Sequence, residues 1–195
     1  MPSNALLRWQ NDRLVRLNAI DAQCDVVFAL APPNPELADE DLRGYTMILS
    51  AHWQGFCRDL HSECIQIVAA ATPPAMQLMI QKQCLAGRQL DGANPSYDTI
   101  RKDFERFDFA LTPVLDANPA NALRITHLDH LNKWRNYAAH HSTRLPPAGG
   151  PFTLATVRVW RNSCDELAAE LDRIMYNQLQ AQCRGSRRNR SNLNA

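Results

Sequence analysis

The feature that most constrains this chain lies near its end. Val157, Trp160, Cys164, Leu167, Leu171 and Ile174 recur at alternating threes and fours. That spacing sets one apolar stripe along a helix and nothing comparable along a strand. Such a helix needs a partner along its whole length. No segment of the 195 residues shows sustained two-residue alternation, so the partners are helices too. Apolar residues make up 45 % of the chain, enough for one packed core.

Taken in order, the chain supplies those partners. Asn4 to about Leu30 predicts a first helix, with Leu6, Leu7, Leu14, Leu17, Ile20 and Cys24 on its apolar side, closed by Pro32-Pro33-Asn34-Pro35. Asp39 to about Ala71 predicts a second, long helix with Tyr45, Leu49, Phe56, Leu60 and Ile67 as its seam. His52 and Glu63 fall within that seam on a helical wheel, which marks them as candidates for a core histidine contact or for a polar site. Ala75 to Ala86 predicts a short helix whose Met76, Met79, Ile80 and Cys84 are expected in the core. Asp91 to Ser96 has the turn chemistry of a loop. Tyr97 to about Leu111 predicts a further helix, its run Arg101-Lys102-Asp103-Glu105-Arg106 being expected as a solvated face. Pro113 to Pro119 is expected as a connection, and Thr143 to Gly150 as a loop. The fold expected is a single all-α helical bundle over residues 1–183, with short helices inserted after the second long one.

The ends and the cysteines bound the setting. From Arg184 on, the chain holds Arg184, Arg187, Arg188 and Arg190 and no acid, so 184–195 is expected as a basic, disordered tail. With 21 basic and 20 acidic residues overall, the remainder is slightly acidic. Six cysteines occur without a Cys-x-x-Cys pair, and a reduced cytoplasm is the simplest compartment for them. The first 13 residues lack the apolar core of a signal peptide, and the longest uncharged run, 64–81, is broken by Pro73-Pro74. No membrane partner is expected.

The chemistry concentrates between Ala122 and His141. This segment reads as an amphipathic helix, yet Arg135 continues its apolar stripe, where a guanidinium must be paired or reach a polar cavity. Asn136 follows it directly, and His140 and His141 come one and a half turns later. An imidazole can act as general base or acid near neutral pH. A guanidinium fork fits phosphate oxygens, and an asparagine can orient either group. Arg135 and His140 lie about 140° apart on a straight helix, whereas Asn136 and His140 share a face. Tyr137 could stack on a base or simply pack. A structural alternative pairs Arg135 with Glu63 or Asp129 and has His140 cap the helix. His127 and His130 have a metal-like spacing, but no carboxylate or cysteine completes a set, so no metal or other cofactor is expected.

Arg135, Asn136 and His140, near the end of a helix in a small helical chain, resemble the motif of the HEPN superfamily of RNA-cleaving proteins. The stretch Ala51-His52-Trp53-Gln54-Gly55-Phe56 is similar to a helix of some stand-alone prokaryotic members. The resemblance implies a HEPN-type bundle and a metal-independent endoribonuclease acting through the RNA 2′-hydroxyl. It implies Arg135, Asn136 and His140 as catalytic residues, with His141 as the alternative to His140; His52, Glu63 and Tyr137 are candidates for secondary roles on their helical placement and chemistry. It also implies a homodimer whose two motifs form a composite site. A role as a toxin or phage-defence effector follows, restrained by an antitoxin such as a nucleotidyltransferase. The alternative is a helical module of the same fold that binds RNA or a protein without cleaving.

Overall fold

The computed structural model describes the backbone of residues 2–140 and 152–193, and side chains over 2–140 and 152–181. All the regular structure described is helical. The chain begins with α1 (Asn4–Arg8), a π-helical turn (Trp9–Arg13) and α2 (Leu14–Phe28), which together form the first long rod. Then come α3 (Pro35–Ala70), α4 (Pro74–Leu85), α5 (Tyr97–Phe104), α6 (Leu111–Asp116), α7 (Ala120–Ala139) and α8 (Leu154–Leu193).

Side-chain bonds fix the directions of the rods. Gln23 meets Asp41, Arg13 meets Asp59 and the Asn4 amide meets Glu63, so the first rod and α3 run antiparallel. The Ser3 amide bonds Asp172, Trp9 Nε1 bonds Asp165, and Arg158 bonds Asp21 and Asp25, so the first rod and α8 are antiparallel as well. Arg124 to Glu166 and His127 to Ser163 set α7 against α8 in the same way. The result is an up-down-up-down four-helix bundle, with α4 to α6 and two 3-10 turns inserted between its second and third members.

Two aromatic groups fill the core. Trp9, Trp53 and Phe56 pack with ring centroids 5.5 to 5.9 Å apart. Trp134 stacks on Phe152 at 4.3 Å, which in turn stacks on Trp160. The expected seam of α8 is buried from Val157 to Ile174. Cys57 and Cys164 are fully enclosed, and burial pushes their thiols up, as expected of inert core cysteines.

Several expectations need correction. The first helix is not regular: at Trp9–Arg13 the Leu14 amide bonds the Trp9 carbonyl, five residues back. This turns Trp9 fully inward and leaves Leu7 40 % exposed. Ile67 is also exposed, on the outward side of α3, while Ile65 and Ala69 beside it are buried. α4 buries none of its residues fully, so Met76 and Met79 are solvent-facing rather than core. The bundle is already closed without α4, which leans on α3 from outside through half-buried Ile80 and Cys84. The expected fourth helix stops at Phe104, passes through a 3-10 turn and ends on Asp108 in the left-handed region at φ 60°. The expected connection at 113–119 contains most of α6. The backbone of α8 runs helical to Leu193, across the stretch expected as a tail. The predicted loop at 143–150 lies outside the described residues.

Candidate functional site

α7 carries the motif at its C-terminal end. Trp134 and Ala138 are buried and hold this end against the core. One turn earlier, Leu131 and Asn132 are buried too. The opposite side of the helix, Thr126, Asp129, Lys133, Asn136 and His140, is an exposed stripe at alternating threes and fours. Asn136 and His140 therefore share an open face, and His140 is the residue at which the helix ends. The last carbonyls of α7 point toward it, leaving this end with partial negative charge.

Arg135 is half-buried at the edge of that face. Its Nη1 donates to Asn136 Oδ1 at 3.2 Å. No ion pair joins it to a carboxylate among the described residues. The structural alternative for Arg135 is not the arrangement observed, since Glu63 accepts from the Asn4 amide at 3.0 Å, and Asp129 makes no ion pair among the described residues. Glu63 lies 20 residues along α3 from Arg43, the residue that faces Tyr137. At about 1.5 Å per residue that is about 30 Å away, near the other end of the bundle.

Tyr137 is half-buried between α7 and α3. The Arg43 guanidinium covers its ring at 5.5 Å, and Trp134 meets it edge-on. One of its faces is thus occupied by a cation. His52 faces the first rod: Arg13 donates to its backbone carbonyl at 3.1 Å. Burial, then Arg13 and Arg16, hold its imidazole below the usual range, so its charged neighbours belong to the first rod and not to α7. His141 lies outside the described residues. The geometry gathers Arg135, Asn136 and His140 at one helix end, with Tyr137 behind them, and it separates off His52 and Glu63.

A further group joins them. Asn94, in the loop ahead of α5, donates from Nδ2 to Asn136 Oδ1 at 2.6 Å. One turn back, Asn132 Nδ2 donates to the carbonyls of Leu128 and, at 3.4 Å, of Pro95. The loop is fastened from its other side as well. Gln54 Nε2 bonds the carbonyls of Leu90 and Ala93, and the Asp103 carboxylate accepts the amides of Gln89 and Leu90. Asp103 is therefore fully buried, which corrects its expected place on a solvated face. The turn chemistry at 91–96 marks a loop, but no local signal says which helix the loop docks on. Asn132 reads from the sequence as one more polar residue in a helix.

Among the described residues, no group of three or more His, Cys, Asp or Glu is placed to hold a metal ion. His127 and His130 line a groove of about 390 Å³ between α7 and α8, where His127 Nδ1 meets Ser163 Oγ at 2.8 Å. No described helix is long and apolar enough to cross a membrane. No family model, curated protein or solved structure matches this chain.

Proposed function

We propose that this chain is a metal-independent endoribonuclease of the HEPN type, acting as a homodimer. The observation that carries the proposal is the end of α7. Arg135 stands there without a carboxylate to neutralise it among the described residues, beside Asn136, about one and a half turns before an exposed His140. A purely structural arginine in this half-buried position would be expected to hold an acid.

The chemistry needs three services. A base removes the proton of the RNA 2′-hydroxyl as its oxygen attacks phosphorus. An acid gives a proton to the departing 5′-oxygen. A fixed cation stabilises the charge on the phosphorane oxygens. The products are a 2′,3′-cyclic phosphate and a 5′-hydroxyl. His140 suits the base or acid role, and Arg135 suits the third. The motif end of one α7 offers one described histidine, His140, about 140° around the helix from Arg135. Two copies of the motif facing each other would supply two imidazoles and bring each within reach of the other's guanidinium. The open face at Asn136 and His140 leaves room for that approach. A physiological role as a toxin or phage-defence effector held by an antitoxin follows from the resemblance.

The test is cleavage of a mixed RNA in EDTA by the purified protein. His140→Ala and Arg135→Ala should each reduce the rate by about a hundredfold or more. The His140 variant should leave unfolding free energy within about 0.5 kcal/mol, since the ring is exposed. Wild-type inactivity across several RNAs, from a folded dimer, would overturn the proposal. A second reading, a non-catalytic helical module for RNA or a protein partner, draws support from the exposed apolar side of α4.

A further inference from the structure

Asn136 has two ways to face solvent: it can offer its oxygen or its amide nitrogen. Its neighbours decide between them. Arginine carries donors only, so the Asn136 atom that meets Arg135 Nη1 at 3.2 Å must be oxygen. The same oxygen receives Asn94 Nδ2 at 2.6 Å. Were the Asn94 amide reversed, two carbonyl oxygens would face each other at that distance. Both lone-pair directions of Asn136 Oδ1 are thereby filled, and its Nδ2, with two N–H donors, is turned away from both partners.

We infer that Asn94 is a positioning residue of the site, locking the Asn136 side chain so that its N–H donors, together with Arg135, receive a phosphodiester oxygen of an RNA backbone. The inference rests on the ribonuclease reading for its substrate, while the geometry of the clasp stands apart from it. Asn94 belongs to a loop that is fixed independently of Asn136. Pro95 is bonded by Asn132, and Leu90 and Ala93 by Gln54. The donor is thus delivered from a rigid support across 42 residues of sequence. Without it, the single 3.2 Å bond from Arg135 is left to hold the Asn136 amide, and rotation that presents its oxygen, which repels a phosphate, becomes easier. Donors already aimed at the anion require no reorganisation when it arrives, and this is where a pre-set amide gains over a rotating one.

The experiment follows the Asn136 side-chain amide by nitrogen-15 NMR in the full chain, assigned by its disappearance in Asn136→Asp. The ligand is a short 2′-O-methyl RNA, which lacks the nucleophile and stays intact. In the wild type the Asn136 amide resonances should shift on titration. In Asn94→Ala the shift should be lost and kcat on ordinary RNA should fall about ten- to a hundredfold, with a smaller change in KM. Asn94→Asp keeps the shape but accepts instead of donating, so it should turn the Asn136 amide around and give the same loss. Asn94→Ala leaves the Pro95 and Ala93 anchors in place, so circular dichroism and the unfolding midpoint should match the wild type. A wild-type amide that does not move, or an Asn94→Ala protein that keeps both shift and rate, overturns the inference. The two readings fail separately. An Asn94-dependent shift in a protein that cleaves nothing removes the nuclease and keeps the clasp. Cleavage indifferent to Asn94 does the reverse.

Discussion

His61 shows how one residue can tie stability to pH. Its ring is fully buried against Phe104 and Phe107, with Nε2 on the Asp103 backbone carbonyl and Nδ1 without a partner among the described residues. Burial lowers its pKa to about 4, with Arg88 and Arg106 pushing the same way and the Asp103 carboxylate opposing them. In the unfolded chain the same ring titrates near 6.5. Between those values the unfolded state binds more protons, so stability must fall as pH drops from about 6.5 to about 4 and lose nothing more from this group below that. The loss is of order 3 kcal/mol. Urea midpoints at pH 7 and pH 4.5 should differ markedly in the wild type and less in His61→Leu. The sequence hid this residue, because His61 lies beside the apolar seam of the second helix and only the docking of α5 encloses it.

At the level of the helix, Gly55 and the π-helical turn explain each other. The turn brings Arg13 into the interface with α3, where it bonds Asp59 at 2.6 Å and the His52 carbonyl. A Cβ on Gly55 would stand 1.9 Å from Arg13 Nη1. Gly55→Ala should therefore cost about 1–2 kcal/mol by displacing the guanidinium. In an Arg13→Ala background the same change should be neutral or stabilising by up to about 1 kcal/mol, because only helix propensity remains. A double-mutant cycle in urea measures the difference. The long helices were legible because each repeats its apolar pattern over many turns, as Val157 to Ile174 does. The π-helical turn was not, since one extra residue shifts the phase without altering composition. Asp103 was misplaced for a related reason: its partners are the backbone amides at 89–90, which no periodicity records. Of the candidate site, Arg135, Asn136 and His140 stand out because they are close in sequence. Asn94 could not, because its relation to them exists only in three dimensions.

For the whole molecule, the bundle needs α4 little. Leu78 and Met79 are 62 % and 60 % exposed. Leu78→Glu and Met79→Glu should leave the unfolding free energy within about 0.5 kcal/mol of wild type, whereas Trp160→Ala, at the centre of the packing, should cost about 3–5 kcal/mol. Thermal melts of the three variants check both. The alternating directions of the rods have a practical corollary. Ser3 sits beside Asp172, and α8 runs onward past it, so the beginning of the first rod and the far part of α8 leave the bundle from one end. Tyr137 meets Arg43 near the other end, about 30 Å away along α3 from Glu63, which the Asn4 amide bonds. A fluorophore, a resin or a fused domain attached before Ser3 would hang from the pole opposite Arg135 and His140. The protein can be moored there with the end that carries Arg135 and His140 left facing the bath.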